Sequence, residues 1–155
     1  MTIYIGADHR GFSIKQKLVK TLRARGHRVI DVGSHDEGVA CDYPLISLAL
    51  GTKVAASPGS RGILVCLTGI GHSIAANKIP GVYAALCYSL EAARLSRKHN
   101  NANVLVLGAG FIDPRDINRI IFEWLKTHFE GGRHLRRVQQ IKAIEQKFFK
   151  KQRKG

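Results

Sequence analysis

Cysteine is scarce in this 155-residue sequence, acidic residues are few, and no long apolar run interrupts it. Cys41, Cys66 and Cys87 are odd in number and form no CxxC pair, which argues against a disulfide framework and a zinc knuckle. Free thiols suit a reducing compartment. No segment approaches the ~18 consecutive apolar residues of a membrane span, so no membrane partner is expected. The opening MTIYIGADHRG lacks the basic and apolar regions of a signal peptide, and the expected location is cytoplasmic. A hydrophobic fraction of 45% is too high for a disordered chain. No linker, repeat or low-complexity stretch divides the sequence. One domain over 1–147, followed by a basic tail at 148–155, is therefore expected.

What the chain has in excess is positive charge: 25 Lys and Arg against 11 Asp and Glu, a net +14. Such a charge attracts phosphate backbones irrespective of sequence, but its distribution matters more than its sum. From Arg133 onward, nine basic residues oppose Glu145 alone, which is more than half of the excess. A run of this kind reads as a solvated helix end or tail. No nucleic-acid partner is expected.

Short β-branched runs at 2–5, 28–32, 62–66, 82–86 and 103–107 read as strands. Runs such as GILVC and NVLVL lack polar alternation, as strands covered on both faces do. Helical spacing recurs at 12–25, 43–56, 71–78, 90–98, 114–129 and from about 134 to 150. In the first of these helices Phe12, Ile14, Leu18, Val19 and Leu22 form one stripe, with the lysines and arginines expected to face out. Alternating strands and helices give a doubly wound α/β fold with a parallel sheet. Ligands of such folds bind beyond the carboxyl ends of the strands. The reactive residues of Gly6–Gly11, Cys66–Gly71 and Arg97–Asn101 are expected to gather at that edge.

Gly69-Ile70-Gly71 leads from a strand into a helix. The acidic residue that a dinucleotide site needs about 20 positions later is missing, so the turn offers backbone N–H groups for an anion or oxyanion. Cys66 precedes it immediately. It is either a buried structural thiol or a base whose pKa the helix N-terminus lowers. His99 is either a helix C-cap or the partner of Cys66. Arg133 and Arg137, four apart in the first turns of a helix, are either solvated or clamp one phosphate. The seven histidines have no metal-ligand spacing, and no metal is expected.

Together, GADHRGF at 6–12, DYP at 42–44, C-x-TGIG at 66–71, IAANK at 74–78, SRKHNNANVL at 96–105 and FEGGRHLRRV at 129–138 resemble the ribose-5-phosphate isomerase B family, nearly end to end. That family includes allose-6-phosphate and galactose-6-phosphate isomerases. The resemblance implies a three-layer Rossmann-like fold with a five-stranded parallel sheet and a C-terminal helix exchanged across a homodimer, or a homotetramer, with shared sites. It also implies a cofactor-free interconversion of ribose 5-phosphate and ribulose 5-phosphate through a cis-enediolate. Cys66 would be the base, Thr68 would assist, and backbone amides from Leu67 through Gly69 and Ile70 to Gly71 would hold the oxyanion. His99 would open the sugar ring and Asn100 would hold a hydroxyl. Asp8 would bind hydroxyls, Tyr43 would line the pocket, and His9, Arg133 and Arg137 would take the phosphate.

Two positions depart from the family pattern. Leu67 stands where glycine is usual; in a turn needing positive φ it would cost roughly 1–2 kcal/mol. Gly110 stands where the family carries a phosphate-binding arginine, and Arg10 is expected to replace that guanidinium. His72, at a position often methionine in the family, either shapes the pocket or faces solvent. A six-carbon sugar-phosphate isomerase and a catalytically weakened sugar-phosphate-binding protein remain as alternatives.

Overall fold

The computed structural model describes residues 1–36, 38–39 and 41–149. Strands β1 (Thr2–Ala7), β2 (Arg28–Asp31), β3 (Arg61–Cys66), β4 (Ala84–Cys87) and β5 (Val104–Gly108) form one sheet in the order β2-β1-β3-β5-β4. Every pairing is parallel. Helices α1 (Phe12–Ala24), α2 (Tyr43–Ala56), α3 (Ile70–Ala76), α4 (Leu90–Asn100) and α5 (Pro114–Lys126) connect or flank the strands, and α6 (Arg133–Phe149) follows them. The expected three-layer α/β architecture is present. Residues 150–155 of the basic tail lie outside the described residues.

The missing polar alternation has a direct cause. Successive side chains of one apolar strand enter two different cores. Ile3, Ile5, Ile63, Val65, Leu105 and Leu107 face α1, α4 and α5, where Leu22, Ala93, Ile120 and Trp124 meet them. Tyr4, Leu64, Val104 and Val106 face α2 and α3, against Ile46, Leu50, Val54 and Ala76. The fourth strand begins at Ala84 rather than 82, because the Val82 N–H closes a turn on Ile79 and the Tyr83 N–H is taken by the Asn103 side chain.

One expectation for α1 fails. Lys15 does not face solvent: it is fully buried, and its ammonium donates to both oxygens of Asp31 at 2.8 and 2.7 Å and to the carbonyls of Gly33 and Ser34, each at 2.6 Å. A lysine on the apolar stripe is tolerated because four acceptors replace its hydration shell. It ties α1 to the carboxyl end of β2.

Strand order sets where a ligand can sit. The chain leaves β1 toward β2 on one side, and β3 lies on the other, so the switch point falls between the carboxyl ends of β1 and β3. Asp8 follows one of these ends and Cys66 closes the other. Removing the Lys15 ammonium would leave the Asp31 carboxylate uncompensated. Lys15→Met is expected to lower stability by about 3 kcal/mol in urea unfolding; a loss below about 1 kcal/mol would show that the cluster contributes little.

Candidate active site

Asp8 is buried at the start of the loop after β1. Its Oδ1 accepts the Gly11 N–H at 3.0 Å, which closes the turn, and its Oδ2 accepts the Cys66 thiol at 2.8 Å. Gly11 has to be small, since a Cβ there would strike the Val65 carbonyl. The loop can therefore lie against β3 and bring Asp8 to Cys66.

Burial, followed by the hydrogen bond to Asp8, pushes the Cys66 thiol above its ordinary pKa, against a weaker downward pull from the Gly69 and Thr68 N–H groups. This corrects the expectation of a thiol acidified by the helix N-terminus. The backbone dipoles do point at the sulfur, but α3 has only 7 residues and the neighbouring carboxylate acts in the opposite sense.

The turn after Cys66 has the form expected of an oxyanion cradle. Gly69 takes φ +77°, α3 starts at Ile70, and the Thr68 hydroxyl accepts the Ile70 N–H at 3.3 Å. Leu67 carries no left-handed strain: among the described residues, Asn101 is the sole non-glycine with positive φ. Its side chain instead covers Gly110, where a Cβ would come within 2.5 Å of Leu67 Cδ1, and the Gly110 N–H donates to the Leu67 carbonyl at 2.9 Å. The two departures are thus one steric unit, in which leucine occupies the space a residue-110 side chain would need.

Tyr43, at the start of α2, lies over the turn because residue 71 is glycine; a Cβ there would sit 2.6 Å from the ring. Beneath it His72 is fully buried, its ring edge-on to Tyr43 at 5.6 Å and its Nδ1 2.7 Å from the Ser47 hydroxyl. Burial lowers its pKa to about 4, so it is neutral near pH 7. A ring nitrogen of His72, the Cys66 sulfur and an Asp8 oxygen all lie within 4.8 Å of one another. Of the two readings for His72, the solvent-facing one is excluded.

His9 is half-buried and Arg10 exposed on the same loop as Asp8. His99, Asn100, Arg133 and Arg137 lie elsewhere. Helix α4 starts at the carboxyl edge of the sheet and runs back along it, so its end lies at the opposite edge, about 16 Å away for 11 residues at 1.5 Å each. Asn101 there lines a cavity of about 450 Å³ with Ser60, Arg61, Gly81 and Tyr83, residues that lead into β3 and β4. His99 stacks on His134 with ring centroids 4.1 Å apart, which joins it to the start of α6. Arg133 and Arg137 are exposed on that helix. The expectation that all reactive segments share one edge is corrected: one chain places Asp8, Tyr43, Cys66 and Thr68 at one edge and His99, Asn100, Arg133 and Arg137 at the other.

Alkylation of Cys66 by iodoacetamide is expected to speed up with rising pH around a midpoint above that of an exposed thiol. Asp8→Asn should lower that midpoint, since the carboxylate favours the protonated sulfur. Peptide-resolved mass spectrometry reads both, and an unmoved or raised midpoint in Asp8→Asn would contradict the assigned cause.

Comparison with known proteins places this geometry. Residues 3–141 match the Ribose/Galactose Isomerase family. Ribose-5-phosphate isomerase B of Escherichia coli is 42% identical over 145 residues, covering 94% of this chain and 97% of that protein. Ribose-5-phosphate isomerase B of Clostridium thermocellum superposes with a TM-score of 0.92 at 44% identity, over 96% of this chain and 99% of the other. The Mycoplasma genitalium enzyme, solved with bound ribulose-5-phosphate, gives 0.90 at 39% identity, over 94% and 96%. Matched nearly end to end in both sequence and fold, the chain belongs to the ribose/galactose isomerase family, among the ribose-5-phosphate isomerases of type B.

Proposed function

We propose that this protein interconverts ribose 5-phosphate and ribulose 5-phosphate, in the cytoplasm, as a domain spanning 1–147. The observation that carries the reading is the Cys66 thiol, held 2.8 Å from Asp8 at the rim of a backbone N–H turn in the switch-point crevice. An aldose–ketose shift needs a base to carry a proton between C1 and C2, donors for the enediolate oxygens, an acid–base group to open the ring, and a phosphate clamp. Cys66 is the base. In the ligand-free site it is protonated and bound to Asp8. Sugar hydroxyls that engage Asp8 free the sulfur, and the Gly69 and Thr68 N–H groups then favour the thiolate. The cis-enediolate forms against the amides of residues 67–71, with the Thr68 hydroxyl beside the reacting oxygens and Tyr43 closing one wall.

His99 opens the ring and Asn100 holds a hydroxyl, but both come from a second copy of the chain, as do Arg133 and Arg137. Two apolar surfaces support such a dimer. Leu45, Leu48 and Ile74 on α2 and α3 are 54–65% exposed, and Ile141, Ile144 and Phe148 on α6 are 43–63% exposed. Helix α2 is apolar on most of its circumference, Thr52 and Lys53 near its end aside, which suits a helix covered on both sides. His9 completes the phosphate clamp from the Asp8 loop, and Arg10 supplies the guanidinium that Gly110 cannot.

Cys66→Ala is expected to lower kcat for ribose 5-phosphate by ~10²–10⁴-fold. Equal rates for the two proteins would leave a sugar-phosphate-binding protein, and faster turnover of allose 6-phosphate would favour the six-carbon reading. Arg10→Ala should raise KM about tenfold with little change in kcat, as loss of one charged hydrogen bond to phosphate does; an unchanged KM removes Arg10 from the clamp.

A further inference from the structure

We propose that Asp8, Cys66 and His72 form a binding site for a thiophilic divalent cation of the zinc class, and that the bound ion shuts the site down by holding the Cys66 sulfur. Sulfur, imidazole nitrogen and carboxylate oxygen converge from three segments, with their ligand atoms mutually within 4.8 Å. No spacing signature in the sequence marks the set, because residues 8, 66 and 72 meet only through strand pairing and the turn into α3.

A second observation points to a ligand. His72 is fully buried, yet its Nε2 has no hydrogen-bond partner, while Nδ1 is fixed 2.7 Å from Ser47. A buried ring nitrogen left unpaired is costly, because it has given up water and gained no partner. An imidazole oriented through one nitrogen and free at the other is the arrangement in which histidine binds metals. A mixed S, N, O set suits zinc and its neighbours rather than magnesium or calcium, which take oxygen ligands. Cys66 is half-buried, so water or a sugar oxygen would be available to an ion there as a further ligand. On binding, the metal–sulfur bond forms as the thiol proton leaves to solvent, and the metal replaces that proton between Cys66 and Asp8. No electron is transferred.

The cation-binding claim stands on geometry alone; the inhibition claim also rests on Cys66 being the base. Cobalt(II) separates the two. The reduced, metal-free full chain, titrated with cobalt chloride, should develop a near-ultraviolet thiolate-to-cobalt charge-transfer band together with intense visible bands of a tetrahedral ion. Cys66→Ala should abolish the charge-transfer band although Cys41 and Cys87 remain. His72→Gln, and independently His72→Leu, should weaken cobalt binding at least ~10-fold, and the zinc effect on each variant is read against that variant's own metal-free turnover. Zinc should inhibit the wild type reversibly, with relief by a chelator, and inhibit both His72 variants far less. A wild type without the charge-transfer band, or a band that persists in Cys66→Ala or is equally strong in the His72 variants, overturns the site. A band in a chain that turns over no sugar phosphate keeps the site and removes the isomerase reading.

Discussion

In a parallel sheet, every helix must carry the chain back to the edge from which the next strand starts. This requirement governs the whole molecule. It places the loops after β1 and β3 side by side at the switch point, where Asp8 and Cys66 touch, and it carries the far end of α4 to the opposite edge. One chain therefore does not bring Cys66 and His99, the proposed base and ring-opening group, together by folding alone. Two copies related by a twofold axis would do so. Apolar residues on α2, α3 and α6 are left uncovered.

The environment of Cys66 combines opposing effects. Burial and Asp8 hold the proton on sulfur, while the turn at Gly69 would favour its loss. A thiol kept protonated is protected from oxidation and alkylation, since the thiolate is the reactive form. The same site tolerates Leu67 because the turn needs positive φ at Gly69, one residue beyond Thr68, and because Gly110 leaves room for the leucine side chain. Positions 67 and 110, far apart in the chain, thus touch in space.

Much of the fold was legible in the sequence. Uninterrupted apolar runs such as GILVC announced strands buried on both faces, and the two cores show why. Helix α2 was read to its exact limits, because Tyr43-Pro44 starts it and Ser57-Pro58-Gly59 stops it. What escaped was tertiary. The burial of Lys15 depends on acceptors from the end of β2, 16 to 19 residues away. The place of His72 depends on Ser47 and Tyr43 in another helix. The remoteness of His99 from Cys66 was readable in principle, since a helix following one parallel strand has to end at the opposite edge; counting residues after strands missed it.

The central claim is that each site is built from two chains, and subunit mixing tests it most directly. Cys66→Ala and His99→Ala are each purified inactive, mixed in equal amounts, dissociated and reassociated. In a dimer with shared sites, half of the reassociated molecules are mixed, and each of these has one intact site, so activity should return to about a quarter of the wild-type value. Mixtures that stay as inactive as their components after exchange would show that Cys66 and His99 serve the same site from one chain, contrary to the geometry described.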